Sequence, residues 1–159
     1  MRAQEGLGSS PTVREGSLVI AMSNKQAILA FIDRINAHDV QGLAALMSDD
    51  HTFVDAHGNQ VCGREKMTAG WRGYFEWFPD YWIEVTDVFE GDVSAGDQSF
   101  ALFGFAGGSF KGKQTESWRL PAAWKAIVRD GRVALWQVFA DTKIPFEIIE
   151  RNGLQNRER

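Results

Sequence analysis

FIDRINAHDVQGLAALMSDDHTFVDAHG, residues 31–58, changes its hydrophobic period within one short run. Phe31, Ile32 and Ile35 continue a helical spacing begun by Ala27 and Ile28, and Ser23 or Asn24 can cap that helix. His38-Asp39 breaks it. Val40, Leu43, Leu46 and Met47 then mark one side of a shorter helix ending near Ser48-Asp49-Asp50. Residues 51–55 read as a strand, in which Thr52, Phe53 and Val54 favour extended backbone and Asp55 arrives at the end. Strand parity puts His51, Phe53 and Asp55 on one face and Thr52 and Val54 on the other. Gly58-Asn59 turns the chain into a short return strand at Gln60–Cys62.

Working outward, Gly63-Arg64-Glu65 opens a third helix whose apolar positions are Met67, Trp71, Tyr74, Phe75 and Phe78, and Pro79 stops it. From Tyr81 the period becomes two. Gly91-Asp92 and Gly96-Asp97 punctuate it, Ser99–Ala106 forms a long strand, and Gly107-Gly108 breaks or bulges that strand. Further strands follow at Glu116–Leu120, with Pro121 bending it or marking an edge, at Trp124–Arg129, and at Val133–Ala140 after the hairpin turn Asp130-Gly131. Helices, strand, helix and then a strand meander make an α+β fold. The expected architecture is a cone-shaped curved antiparallel sheet packed against three helices from the N-terminal half, with a cavity between. Residues 1–22 read as a disordered extension, 23–150 as the domain and 151–159 as a flexible tail.

Composition narrows the function. The 159 residues carry a formal net charge of −4, which argues against nucleic acid as the main partner. No apolar run reaches the roughly 18 residues a membrane helix needs. The single cysteine, Cys62, suits a reducing, cytoplasmic setting, and the three scattered histidines offer no metal-ligand spacing. Six tryptophans and eleven phenylalanines are many for this length. They fill a core, line an apolar pocket, or do both.

The Asn-Ala-x-Asp break, Leu-x-x-Leu-Met, Asp-Asp before the strand and an Asp three residues before the turn glycine resemble the opening of the nuclear transport factor 2-like superfamily, closest to its SnoaL-like and ketosteroid isomerase-like branch. RDGRVALWQVFAD, residues 129–141, resembles that family's last hairpin, and the likeness covers about residues 24–150. The fold is specified by this resemblance far better than the activity is, because one fold hosts many chemistries. Ketosteroid isomerase pairs an aspartate base with an oxyanion hole made by a tyrosine and a protonated aspartic acid. Asp55 matches the base. Phe31 falls where the tyrosine would stand, and the second acid falls near Ala123 or Trp124. The chain therefore lacks both donors, each of which is commonly worth roughly 2.7–4 kcal/mol. An Asp-Arg-Asp arrangement of the limonene epoxide hydrolase kind finds Asp55 and Asp141 but no arginine between them.

Two readings of Asp55 follow. Facing an apolar cavity, it is a general base with a raised pKa. Held at the strand end, it is a turn residue bonding the backbone near Gly58. The resemblance implies an inward face on the last strand made of Leu135, Gln137, Phe139 and Asp141, and an outward Trp136. An outward Trp136 marks either a homodimer interface across the sheet face, a habit of the family, or a surface covered by Ile144–Ile149. Phe31, Phe53, Trp71, Tyr74, Trp118, Trp124, Gln137, Phe139 and Asp141 are the expected substrate-binding residues. Tyr74 is the one member of its helical stripe able to donate a hydrogen bond. His51 is expected half exposed and His57 in a solvated turn. Neither cofactor nor metal is expected. The function is a cofactor-independent isomerase, cyclase or hydrolase using Asp55 on a small hydrophobic molecule, or a binding or dimerisation module without chemistry.

Overall fold

The computed structural model describes residues 22–155. Most of the expected N-terminal extension, and residues 156–159 of the expected tail, lie outside the described residues. Helix α1 (Asn24–Asn36) begins with a reciprocal capping box between Ser23 and Gln26 and buries Ala27, Ile28, Phe31, Ile32 and Ile35. Its end is tied to the sheet. The Asn36 amide donates to the Ile83 carbonyl at 3.0 Å and accepts from the Ile83 N–H at 2.8 Å. Asp39 then caps α2 (Val40–Leu46) through the Gly42 N–H at 2.9 Å. Helix α3 (Arg64–Trp77) ends just before Pro79 and buries Met67 and Trp71.

The strands are β1 (Met47–Val54), β2 (Gln60–Cys62), β3 (Trp82–Ser94), β4 (Asp97–Ser109), β5 (Ser117–Arg129) and β6 (Arg132–Ala140), ordered β2-β1-β6-β5-β4-β3. The sheet is mixed rather than wholly antiparallel, because β1 runs parallel to β6 while the other neighbours are antiparallel. A strand that pairs with the last element of the meander must enter from the helical half, and its direction is set by that crossover. β1 also starts at Met47, earlier than the helical spacing implied.

Gly107-Gly108 does not break β4. Gly104 and Gly107 instead mark close approaches: a Cβ on Gly104 would run into the Glu84 carbonyl, and one on Gly107 would lie 2.6 Å from the Trp82 ring. Pro121 pairs with Phe105 of β4, whereas pairing with β6 begins only at Ala122. Its missing N–H therefore falls where β5 has a neighbour on one side. The β3–β4 and β5–β6 turns use Ala95-Gly96 and Asp130-Gly131, all with positive φ, as tight hairpins require.

A fourth helix, α4 (Lys143–Gln155), follows the last strand. It includes Arg151 and Asn152, expected in a tail. Ile148 and Asn152, one turn apart, are buried against the domain, and Arg151 pairs with Glu116.

The parity of β6 reverses the expected one. Trp136 points inward and is fully buried, and it stacks on Trp124 with ring centroids 6.0 Å apart. Gln137 and Phe139 therefore face the outer surface. A one-residue error in phase moves every side chain of a strand to the opposite face. The neighbour of Trp136 across the ladder is Ala126, itself buried, which fixes the phase from β5.

Candidate functional site

A cavity of about 250 Å³ lies between α3, the inner face of the sheet and α4. Of the residues expected there, Phe53, Asp55, Trp71, Tyr74, Trp118 and Trp124 line it. Phe31 does not. It is buried one layer behind the wall, with its ring centroid 6.4 Å from Trp71 and 5.2 Å from Trp136. Gln137 and Phe139 are absent because their strand face is the other one. Asp141 is exposed and accepts from the Lys143 N–H at 3.1 Å, so it serves the start of α4.

Residues not anticipated complete the wall. Tyr81, Trp136, Val138 and Ala140 come from the sheet side, and Pro145, Phe146 and Ile149 come from α4. The apolar spacing of Ile144, Ile148 and Ile149 was readable as a helical stripe; its destination was not. Tyr81 stands just before β3, where alternation reads it only as the first strand residue.

Asp55 marks the rim. Its Oδ1 accepts from the His57 N–H at 2.8 Å and the Asn59 N–H at 2.9 Å, and its Oδ2 accepts from the Asn59 side-chain amide at 3.0 Å. Partial burial pushes this carboxyl's pKa up, but the bonds from Asn59 and His57 together outweigh it and hold the group below its ordinary range. The same bonds shape the turn around Gly58, whose φ is +87°. That turn presents His57 to α4. Its Nε2 lies 3.0 Å from the Thr142 hydroxyl, and its ring meets Phe146 edge-on at 4.7 Å. Asp55 thus organises the clasp between the β1–β2 turn and the helix across the cavity mouth.

Deeper in, His51 is fully buried rather than half exposed. Its Nδ1 donates to the Val133 carbonyl at 2.7 Å, which leaves Nε2 unprotonated and without a partner. Burial lowers its pKa, against the opposing pull of the Val133 carbonyl and Asp50. The indole nitrogens of Trp71, Trp118 and Trp124 are also buried without hydrogen-bond partners. Burial raises the phenol pKa of Tyr74 and of Tyr81, and the nearby Tyr81 adds to the rise at Tyr74. Among the described residues, no group of three His, Cys, Asp or Glu side chains converges to hold a metal ion. No described helix is long and apolar enough to cross a membrane.

A family model described as a SnoaL-like domain matches residues 28–136. Solved structures agree on the fold. A protein named as a SnoaL-like polyketide cyclase from Shewanella putrefaciens CN-32 superposes with a TM-score of 0.65 at 12% identity, over 94% of this chain and 99% of its own. A protein of ketosteroid isomerase-like fold from Catenulispora acidiphila DSM 44928, solved with trimethylamine, gives 0.59 at 19% identity, over 74% and 86%. The orange carotenoid protein of Anabaena (Nostoc) sp. PCC 7120, binding canthaxanthin, gives 0.64 at 14% identity, over 82% of this chain and 39% of its own. No curated protein matches the chain by sequence.

Proposed function

Because the chain belongs to the SnoaL-like domain family, we propose that its cavity binds a small hydrophobic molecule and that Asp55 holds the mouth of that cavity rather than abstracting a proton. The observation carrying this reading is the state of the one carboxylate in the lining. Asp55 already accepts three hydrogen bonds, from His57 and Asn59. Those bonds make it a weaker base, whereas a general base working near neutral pH needs its pKa raised. The two oxyanion donors of ketosteroid isomerase are also replaced, by Phe31 and by Ala123 or Trp124. The walls favour an apolar occupant: Phe53, Trp71, Trp118, Trp124, Trp136 and Val138 supply aromatic and aliphatic surface. The canthaxanthin-binding relative supports the reading in one respect, since its similar fold accompanies an apolar ligand.

The second reading, an isomerase, cyclase or hydrolase with Asp55 as base, draws on the placement of Asp55 in the lining and on the polyketide cyclase name of a structural relative. The two separate in one experiment. Two-ring aromatic probes are titrated calorimetrically into wild type and Asp55→Asn, and the mixtures are assayed for product. Binding on the order of micromolar in both proteins, without product, is expected. Turnover by wild type that Asp55→Asn abolishes would establish the catalytic reading instead.

A homodimer across the outer sheet face completes the proposal. Phe89, Phe103 and Phe139 are exposed there, and Phe89 meets Phe103 edge-on at 5.9 Å. Exposed aromatic clusters on a sheet face favour association. Sedimentation of wild type and Phe139→Asp tests it: a shift from dimer to monomer is expected.

A further inference from the structure

We propose that Trp71, Tyr74, Tyr81 and Trp118 form an aromatic cage for a quaternary ammonium group, so that the ligand of this cavity is an alkylated cation with an apolar body. This rests on the reading of the cavity as a binding pocket and adds the charge and head group of the occupant. The four rings come from α3, from the segment entering β3 and from β5, and all border the cavity. Each turns against the next. Trp71 stands at 89° to Tyr74 with centroids 6.4 Å apart, and Tyr74 at 89° to Tyr81 with centroids 4.9 Å apart. Trp118 lies at 40° to Tyr81, 6.1 Å away. Rings that succeed one another at right angles bound a common space on more than one side, which a flat stack does not. Rings outside the lining hold this frame: Phe75 stacks on Trp71 at 5.4 Å, and Phe78 meets Trp118 edge-on at 5.5 Å. The Tyr81 backbone is fixed independently, because its carbonyl lies 2.6 Å from His38 Nε2.

What these residues show to the cavity is ring surface. Trp71 and Trp118 line it, yet their indole nitrogens are buried without partners, so the polar edges lie within the wall. Burial keeps the Tyr74 and Tyr81 phenols protonated, and a cation therefore meets the negative face of a neutral ring rather than a phenolate. Trp offers a cation the strongest such face, and Tyr also serves. Among the described residues, neither lysine nor arginine lines the cavity. Its one carboxylate, Asp55, stays ionised because the bonds from Asn59 and His57 hold its pKa down. The chain as a whole carries a formal net charge of −4, which also favours a cation. A primary ammonium would bring three N–H donors to a wall whose carboxylate already accepts three bonds, and would leave donors unmet. A quaternary ammonium has no N–H. It spreads its charge over methyl groups that pack on ring faces, so it enters without an unmet hydrogen bond.

The test compares benzyltrimethylammonium with neopentylbenzene, the same shape with carbon in place of the charged nitrogen, and with benzylammonium. Binding is followed by tryptophan fluorescence in wild type, in Tyr74→Phe/Tyr81→Phe, which keeps both ring faces, and in Tyr74→Leu/Tyr81→Leu, which removes them. Wild type is expected to bind the quaternary ion about 3- to 10-fold more tightly than its neutral isostere, and more tightly than benzylammonium. The phenylalanine variant keeps most of that advantage and the leucine variant loses it, while neopentylbenzene affinity holds in all three. The N-methyl proton resonance of the bound ion moves upfield, because protons over ring faces are shielded. Neopentylbenzene binding wild type as tightly as the ion, or an advantage surviving in the leucine variant, would overturn the cage while leaving the pocket intact. Benzylammonium binding as tightly as the quaternary ion would overturn it too, by assigning recognition to the Asp55 carboxylate, and loss of the advantage in the phenylalanine variant would do so by assigning it to the hydroxyls. Failure of every probe to bind wild type would overturn the pocket reading and the cage together. Should the leucine variant not fold, the wild-type ranking and the N-methyl resonance decide, and an unshifted resonance in the bound ion overturns the cage.

Discussion

The inner and outer faces of one sheet carry aromatic rings in similar supply but in opposite circumstances. Inside, Trp118, Trp124 and Trp136 are buried among helices, and Trp124 and Trp136 stack. Outside, Phe89 and Phe103 stand exposed on the adjacent strands β3 and β4, and Phe139 stands exposed on β6 beyond β5. Their residue types differ in a physically telling way. Of the inner rings, Trp118 and Trp124 carry indole N–H groups that are buried without a partner, whereas the outer rings have no polar atom. An outer phenylalanine leaves no hydrogen-bonding group unmet when a second surface covers it, while a buried inner tryptophan bears the cost of a donor without a partner.

The largest expected effect sharpens that contrast directly. Trp124→Ala should cost about 3–5 kcal/mol, read by denaturant unfolding, because it opens a void beneath the stacked pair. Phe139→Ala on the next strand should stay within about 0.5 kcal/mol for the monomer. Similar costs at both sites would break the distinction between the faces.

Next comes the rim. Asp55→Ala should lower stability by about 1–2 kcal/mol, since the turn N–H groups of His57 and Asn59 lose their acceptor. Asp55→Asn should cost less, because an amide oxygen still accepts. The wild-type contribution has a definite pH sign. The folded pKa of Asp55 lies below its ordinary value, so its stabilisation is complete above the unfolded pKa of about 3.9 and is lost as pH falls through the lower folded value. Chemical-shift titration of the Asp55 carboxyl should give a midpoint below that of a model peptide. A raised midpoint would return Asp55 to the role of base.

His51 provides a smaller and separable pH effect at the inner face. Its folded pKa is lowered by burial, so the unfolded chain takes up a proton first as pH falls below about 6.5. Stability should therefore decline through the window below that value, and His51→Gln should flatten the decline in thermal melts between pH 7 and pH 5. The smallest effect on folding belongs to Phe103→Lys on the outer face, expected to leave the melting of the monomer nearly unchanged while weakening self-association.

Much of this was legible in the residues. The period change within residues 31–58 placed two helices and a strand. The phase of β1 was read correctly, with Phe53 and Asp55 on the cavity side. The Asp130-Gly131 hairpin was equally plain, because both positions require positive φ. The last strand was not. VALWQVFA, residues 133–140, contains apolar residues on both faces, so alternation supplies no phase. Its pairing with β5 and β1 does. The tail was missed for a similar reason: a short apolar stripe shows that a helix is possible, but the surface that buries Ile148 exists only once the sheet has formed.

The sequence alone determined the α+β order, the cap of the first helix, the Asp130-Gly131 turn and the aromatic supply, because each depends on local conformational preference or on short-range periodicity. Only the tertiary structure decided which tryptophans look inward, that Tyr81 joins Tyr74, and that the Asp55 carboxylate closes a turn. Those outcomes depend on strand register and on contacts between residues far apart in the chain, and no local pattern encodes them.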